Sequence, residues 1–131
     1  MRPLFLIEYA LDAVQNAYAP YSNFSVGAAL LASDGQVFTG CNIENAAYPA
    51  TICAERVAFF KAISAGVRKF DAIALVAKDK NGFVKKCFPC GSCLQVMTEF
   101  CEPNFLLYLG NDKKSYEAYT LEELLPNSFH L

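Results

Sequence analysis

The stretch FDAIALVA (70–77) is an apolar run of strand length. A strand that is apolar on both faces is typical of the middle of a sheet whose two sides are covered by other elements. FLLYLG (105–110) has the same character, and a helical pattern between about residues 90 and 101 separates the two runs. We therefore expect two buried strands in a sheet that is flanked by helices.

The chain before this stretch predicts an antiparallel strand pair. In VGAALLASDGQVFTGCNI (26–43), the turn residues Ser33-Asp34-Gly35 separate two apolar runs, which is the pattern of a β-hairpin. The remaining predicted elements are helices at 4–18 and 53–65, a strand near 116–119, and a short helix opened by a capping box at 120–123. This order predicts an α/β fold, a three-layer α/β/α sandwich with a mixed, mostly five-stranded sheet, in a single domain over residues 1–131.

Composition excludes several classes of function. The net charge is −2 and the basic residues are scattered, so we expect no nucleic acid polymer as a partner. Apolar runs are too short to span a membrane, and Glu8 and Asp12 interrupt the N-terminal one before it resembles a secretory segment. We therefore expect a cytoplasmic protein whose six cysteines stay reduced. A hydrophobic content of 54% fits a tight core, or a core plus a subunit interface.

Two cysteines in PCGSC (89–93) have metal-ligand spacing. Cys90 and Cys93 lie three positions apart, which places both sulfurs on one face of a helix. Cys53 stands at the predicted start of another helix and is an economical third ligand. Three sulfurs leave one tetrahedral position of zinc open, and an open position is typical of a catalytic zinc site.

Two other interpretations of the cysteines remain open at this point. A C-x-x-C pair is also the spacing of a redox dithiol. CFPCGSC contains a second such spacing, so Cys87 could be a fourth ligand of a structural zinc, and Cys41 and Cys101 are further candidates. The spacing favours catalytic zinc, because a structural zinc leaves Glu55 without a role.

Glu55 and Arg56 follow Cys53 after one alanine and directly precede an apolar run. The single histidine, His130, stands next to the C-terminus, so proton transfer near a metal falls to a carboxylate, and Glu55 is the nearest one. An ion beyond the end of a helix can be reached both by its first residue and by a residue slightly further in. Three thiolates leave zinc with a net charge of −1, and we expect Arg56 to donate a hydrogen bond to one sulfur and offset that charge.

Five segments together resemble one enzyme family. The chain is similar to the small, homotetrameric, three-cysteine cytidine deaminases of the cytidine and deoxycytidylate deaminase family, over nearly its whole length. The segments that carry the resemblance are AYAPYSNFSVGAAL (17–30), GCNIENAAYP (40–49), CAER (53–56), PCGSC (89–93) and ELLP-x-x-F (123–129). One departure is Leu94, where the family commonly has arginine, and a leucine cannot make the charged contact of an arginine.

The resemblance implies a reaction and a set of site residues. The reaction is the hydrolytic deamination of cytidine and deoxycytidine to uridine and deoxyuridine plus ammonia, in pyrimidine salvage. The resemblance also implies one zinc ion per chain, bound by Cys53, Cys90 and Cys93. Glu55 would be the proton carrier. The resemblance further implies a homotetramer whose sites are shared between subunits. The substrate-binding residues it implies are Phe24, Asn42, Glu44 and Ala54, with Ala46, Tyr48 and Phe129 across a subunit interface.

The sequence is also compatible with two alternative functions. One is a related small deaminase that acts on another cytosine compound, such as blasticidin S. The other is a binding module with a structural zinc and no catalysis. Asn42 and Glu44 favour the free nucleoside, since both side chains suit ribose hydroxyls.

Overall fold

The structure, a computed structural model, describes residues 1–84, 86–112 and 114–131. The described residues form four α-helices and six β-strands. In chain order these are α1 (Pro3–Val14), β1 (Ser25–Ala32), β2 (Val37–Cys41), α2 (Ala54–Ser64), β3 (Phe70–Asp79), β4 (Gly82–Phe83), α3 (Gly91–Phe100), β5 (Leu106–Gly110), β6 (Tyr116–Thr120) and α4 (Leu121–Leu124), with a 3₁₀ turn at Tyr48–Ala50.

The sheet is mixed, and β3 lies in its middle. Five strands follow the order β2-β1-β3-β5-β6, and the two-residue strand β4 pairs with the end of β3. The β3–β5 pair is parallel, with Ile73 opposite Leu107, and the other pairs are antiparallel. A parallel pair needs a crossover connection, and here α3 lies in that connection.

Alternate residues of the strands enter two separate cores. Ala72, Ala74 and Val76 of β3 pack with Leu6 and Ile7 of α1 on one face of the sheet. On the other face, the intervening β3 residues pack with α2 and α3, and the core members there include Leu30, Ile73, Leu75, Phe59, Met97 and Leu107. The three-layer α/β/α architecture is therefore confirmed.

One glycine allows α2 to lie directly against the sheet. A Cβ atom at Gly40 of β2 would overlap the carbonyl oxygen of Ala54 and lie 2.7 Å from the backbone nitrogen of Ala58. The first turn of α2 thus contacts the β2 backbone, and this contact sets the position of the residues that open the helix.

The structure departs from the predicted elements in two places. The first helix ends at Val14 rather than at residue 18, because the Tyr18 amide donates to the carbonyl of Asn42 in an isolated parallel bridge. The connection after β3 includes the short strand β4, with Gly82 at φ 125°, which is not among the predicted elements. The other predicted helices and strands agree with the observed bounds to within two residues.

The helices in the described ranges are all shorter or more polar than a helix that crosses a bilayer.

Candidate active site

Three sulfurs converge where two helices begin. Cys53 is the N-cap residue of α2, Cys90 is the N-cap residue of α3, and Cys93 lies in the first turn of α3. The distance from Cys90 Sγ is 3.9 Å to Cys53 Sγ and 3.5 Å to Cys93 Sγ. Helix N-termini carry unpaired backbone N–H groups and a partial positive charge, which stabilise thiolates.

The arrangement of these sulfurs fits a zinc ion. Zinc–sulfur bonds of about 2.3 Å at tetrahedral angles place two sulfurs about 3.8 Å apart, and the two measured distances lie on either side of that value. All three ligand atoms lie within 4.8 Å of one another, and no other group of three potential metal ligands lies together among the described residues. Soft thiolates are ligands that zinc favours.

The other cysteines lie outside this group. Cys87 and Cys101 are half-buried and pack against the main core, which is the core between the sheet and helices α2 and α3. Burial raises the pKa of each thiol to about 12. Cys41 lies on β2 opposite Gly27. A structural zinc with Cys87 as its fourth ligand is therefore not supported, and a simple redox pair does not account for the third sulfur.

Hydrogen bonds lower the pKa of Cys53. Its sulfur accepts from the Cys93 thiol and from Arg56 Nη2 at 3.3 Å, and these contacts outweigh burial and lower the pKa of Cys53 to about 5. The same thiol contact raises the pKa of Cys93. The Arg56 guanidinium thus lies against the sulfur cluster.

Glu55 is a buried carboxyl beside the sulfurs. It is the second residue of α2 and is 4% exposed. Burial raises the pKa of Glu55 to about 7, and a hydrogen bond with the Cys93 thiol partly opposes that shift. A carboxyl with a pKa near neutrality can both accept and return a proton at physiological pH.

Asn42 and Glu44 lie beside Phe24 and hold the loop in front of β1. Asn42 is buried, with Oδ1 accepting from the Val26 amide and Nδ2 donating to the Phe24 carbonyl, each at 2.8 Å. Glu44 accepts hydrogen bonds from residues 21 and 22. Phe24 packs partly buried against the main core.

The remaining predicted substrate residues divide into two groups. Ala54, the first residue of α2, is fully buried between the sulfur cluster and β2. Ala46, Tyr48 and Phe129 are exposed, Tyr48 by 77% and Phe129 by 64%. Tyr48 lines an open cleft of about 380 Å³ together with Glu44.

Two contacts at the site were not predicted. Ser22 bonds to Glu44, although a serine in a turn-rich loop carries no signal of such a role. Gln95 of α3 donates through Nε2 to the carbonyl oxygen of Phe129 at 3.0 Å, which ties the C-terminal segment to the helix that carries Cys93.

Comparisons with known proteins agree with this geometry. The family model of the cytidine and deoxycytidylate deaminase zinc-binding region matches residues 3–109. A cytidine deaminase of Sporosarcina psychrophila is 54% identical over 95% of this chain and 88% of its own length. A blasticidin-S deaminase of Bacillus cereus is more distant, at 29% identity over 94% of this chain and 89% of its own length.

Among solved structures, a cytidine deaminase from Burkholderia pseudomallei superposes with a TM-score of 0.90 at 46% identity, covering 98% of this chain and all of that one. The matched region contains both helix N-termini and all three clustered cysteines. The chain therefore belongs to the cytidine and deoxycytidylate deaminase family.

Proposed function

We propose that this protein is a zinc-dependent cytidine deaminase, which converts cytidine or deoxycytidine and water to uridine or deoxyuridine and ammonia. The observation that carries the proposal is the burial of Glu55 beside three sulfurs at the ends of two helices. A structural zinc site has no need of a buried carboxyl next to its ligands, whereas a hydrolytic deaminase needs a proton carrier there.

Cys53, Cys90 and Cys93 are the residues that would hold the metal. Bound zinc supplies Lewis acidity that makes water nucleophilic near neutral pH. The chain holds the three sulfurs on two helices whose packing is fixed by the core, since Phe59 of α2 stacks on Phe100 of α3 with ring centroids 6.5 Å apart. The ligands therefore belong to a rigid part of the fold, which favours a preorganised site.

Glu55 is proposed to carry protons between water and the base. Its carboxylate takes a proton from the attacking water and delivers it to N3 of cytosine while oxygen adds to C4. Glu55 then takes the proton of the hydroxyl added at C4 and passes it to the amino nitrogen, so that the C4–N bond breaks, ammonia leaves and the C4 carbonyl forms. One water is consumed, and Glu55 returns to its starting state.

Arg56 is proposed to adjust the charge of the sulfur cluster. Its Nη2 lies 3.3 Å from Cys53 Sγ, and the contact with that thiolate raises the pKa of Arg56 above its usual value. A guanidinium remains charged at every relevant pH, so it offsets part of the negative charge of three thiolates permanently. The cluster then retains enough positive potential to acidify water.

Four residues are proposed to bind the nucleoside. Phe24 would pack against the base, and Ala54 would offer backbone groups to it. Asn42 and Glu44 would bind the sugar. The spare hydrogen-bonding capacity supports this assignment. Glu44 Oε1 accepts two bonds and Oε2 accepts one, so a carboxylate with about four acceptor sites has room for one more donor, such as a sugar hydroxyl. Asn42 Nδ2 uses one of its two hydrogens within the protein.

We further propose a homotetramer with shared sites, acting in pyrimidine salvage in the cytoplasm, where the thiol ligands stay reduced. Ala46, Tyr48 and Phe129 are exposed in one chain, which supports contact with a neighbouring subunit. The outer face of α1 also exposes Phe5 and Tyr9. Light scattering on the zinc-loaded protein tests this proposal, and a fully active monomer would contradict the shared sites.

The test of the function compares Glu55→Gln with the parent at equal zinc content. Loss of ultraviolet absorbance by cytidine is followed, and we expect the variant to be slower by about 10²–10⁴-fold, the usual contribution of a proton carrier. Glu99→Gln, on the exposed face of α3, is the matched control and should keep full activity. Equal rates for the parent and Glu55→Gln would overturn the mechanism.

The same assay separates the alternatives. A parent that acts on blasticidin S and not on cytidine would establish the related deaminase instead. A structural zinc module predicts no turnover of either compound, loss of metal in Cys87→Ala, and an unaltered protein in Glu55→Ala.

A further inference from the structure

The carboxylate of Glu44 is directed at the loop that precedes β1. Oε1 accepts from the backbone amides of Tyr21 at 3.0 Å and Ser22 at 3.1 Å, and Oε2 accepts from the Ser22 hydroxyl. These bonds lower the pKa of Glu44, the Ser22 hydroxyl having the largest effect. Glu44 is therefore an ionised anchor for this loop as well as a candidate sugar ligand.

The Ser22 hydroxyl also reaches the aromatic residue of the site. Ser22 Oγ accepts from the backbone amide of Phe24 at 3.0 Å while it donates to Glu44. A single hydroxyl thus joins Glu44 to Phe24 through one donated and one accepted bond. Asn42 holds the other backbone group of Phe24, since its Nδ2 donates to the Phe24 carbonyl.

Backbone constraints around this hydroxyl leave the loop little freedom. Asn23 has φ 55°, a left-handed conformation, and its amide donates to the Ala19 carbonyl at 3.0 Å. The Glu44 amide donates to the Tyr18 carbonyl at 2.8 Å. Backbone bonds thus hold Tyr18 at the start of the loop and Asn23 within its turn, whereas the Phe24 amide is held by the Ser22 side chain.

We propose that Ser22 is a positioning residue, whose hydroxyl fixes Phe24 relative to Glu44 so that the base-facing ring and the sugar-facing carboxylate keep one spacing. The proposal deepens the proposed function and rests on it. Ser22 lies outside the sulfur cluster and touches none of its residues among the bonds described. Its loss should therefore weaken nucleoside binding and leave the chemical step almost unchanged.

The experiment measures kcat and KM for cytidine in the zinc-loaded parent, Ser22→Ala and Ser22→Thr. We expect Ser22→Ala to raise KM about tenfold, the effect of losing one hydrogen bond to a charged group, with kcat within about threefold of the parent. Ser22→Thr keeps the hydroxyl at an exposed position and should restore KM. Ser33→Ala is the matched control, because Ser33 Oγ donates to Asp71 Oδ1 at 2.7 Å in a similar exposed pair after β1.

Amide hydrogen exchange provides a readout that does not depend on substrate. The Phe24 amide should exchange at least about tenfold faster in Ser22→Ala than in Ser33→Ala, because it loses its acceptor. An unchanged KM in Ser22→Ala, with an active parent, would overturn the role of Ser22 alone. A parent without activity on cytidine would overturn the proposed function, and the positioning role with it.

Discussion

Cys53 and Cys90 occupy the same position, the N-cap, of two different helices, and their sulfurs lie 3.9 Å apart. An N-cap side chain usually accepts from a backbone N–H of the first turn, and neither of these cysteines does so. Their sulfurs instead face each other, so the first-turn N–H groups of both helices add positive potential on the same side as the cluster. Two helix ends thereby compensate part of the charge of three thiolates.

The first prediction separates the three clustered sulfurs from the remaining cysteines. We expect Cys93→Ser to lower the zinc content from about one ion per chain to a small fraction, because a neutral hydroxyl replaces a thiolate ligand. Cys87→Ala should keep its zinc, since that thiol packs in the core with a pKa raised to about 12 by burial. Metal analysis of the purified variants measures both, and equal loss in the two would contradict a three-sulfur site.

The second prediction concerns Arg56. Arg56→Ala removes the contact that stabilises the Cys53 thiolate, so protons compete better with zinc for that sulfur and we expect weaker zinc binding near neutral pH. The more negative cluster also acidifies water less, which displaces the acid limb of the kcat/KM profile to higher pH. The control is Arg68→Ala, because Arg68 Nη1 donates to the carbonyls of Ile63 and Val67 at the far end of α2. A chelator competition and a pH–rate profile test this, and the idea fails if both match the parent.

Much of the fold was predictable because apolar periodicity and turn residues are local signals. The run at 70–77, the hairpin turn at 33–35 and the capping box at 120–123 all have the predicted structure, and Thr120 and Glu123 exchange both capping bonds. Strand β4 was missed because two residues are too few for a pattern. The end of α1 was misplaced because a long-range bond between Tyr18 and Asn42 decides it.

The site shows the same division between local and long-range information. Spacing was enough to group Cys90 with Cys93, and the charges next to Cys53 were enough to single out Glu55 and Arg56. The bonds of Ser22 connect residues 22 positions apart in sequence, and a small hydroxyl in a polar loop has no pattern that separates it from other serines. Such contacts depend on the tertiary fold and become visible only in the structure.

The third prediction is a pH dependence of stability in the zinc-free protein. Burial raises the pKa of Glu55 from 4.5 to about 7, so between these values the folded protein keeps a proton that the unfolded chain releases. The free energy of unfolding therefore falls as the pH rises through this window. Glu55→Gln has no such group, and we expect it to be more stable than the parent at pH 8 by on the order of 3–4 kcal/mol, at about 1.4 kcal/mol per pKa unit.

Urea unfolding of parent and variant at pH 4.5 and pH 8, in the presence of a chelator, measures this difference. The variant's advantage should be below about 1 kcal/mol at the lower pH, where the carboxyl is protonated in the folded chain and about half protonated in the unfolded chain. The difference at pH 8 includes the effect of the Glu55 charge on the neighbouring thiols, since that charge raises the pKa of Cys87 and Cys93. An advantage of equal size at the two pH values would show that Glu55 titrates normally.

The fourth prediction tests whether the packing of α2 on β2 positions the site. A methyl group at Gly40 would overlap the Ala54 carbonyl oxygen and crowd the Ala58 nitrogen, and backbone atoms cannot move aside as a flexible side chain can. Gly40→Ala should therefore displace the start of α2, which carries Cys53 and Glu55. We expect a loss of about 1–3 kcal/mol of stability, a Tm lower by several degrees, and a fall in both zinc affinity and kcat.

Gly91→Ala is the matched control, because it lies between two zinc-ligand candidates and yet has open space around it. A Cβ atom there meets nothing within 4 Å, and alanine is a better helix former than glycine at the first position of α3. Its Tm, zinc content and activity should equal or exceed those of the parent. If both variants lose zinc alike, zinc binding is sensitive to any substitution at these helix ends, and the packing prediction is wrong. If only Gly40→Ala loses zinc, the contact between α2 and the β2 backbone holds Cys53 and Glu55 in place.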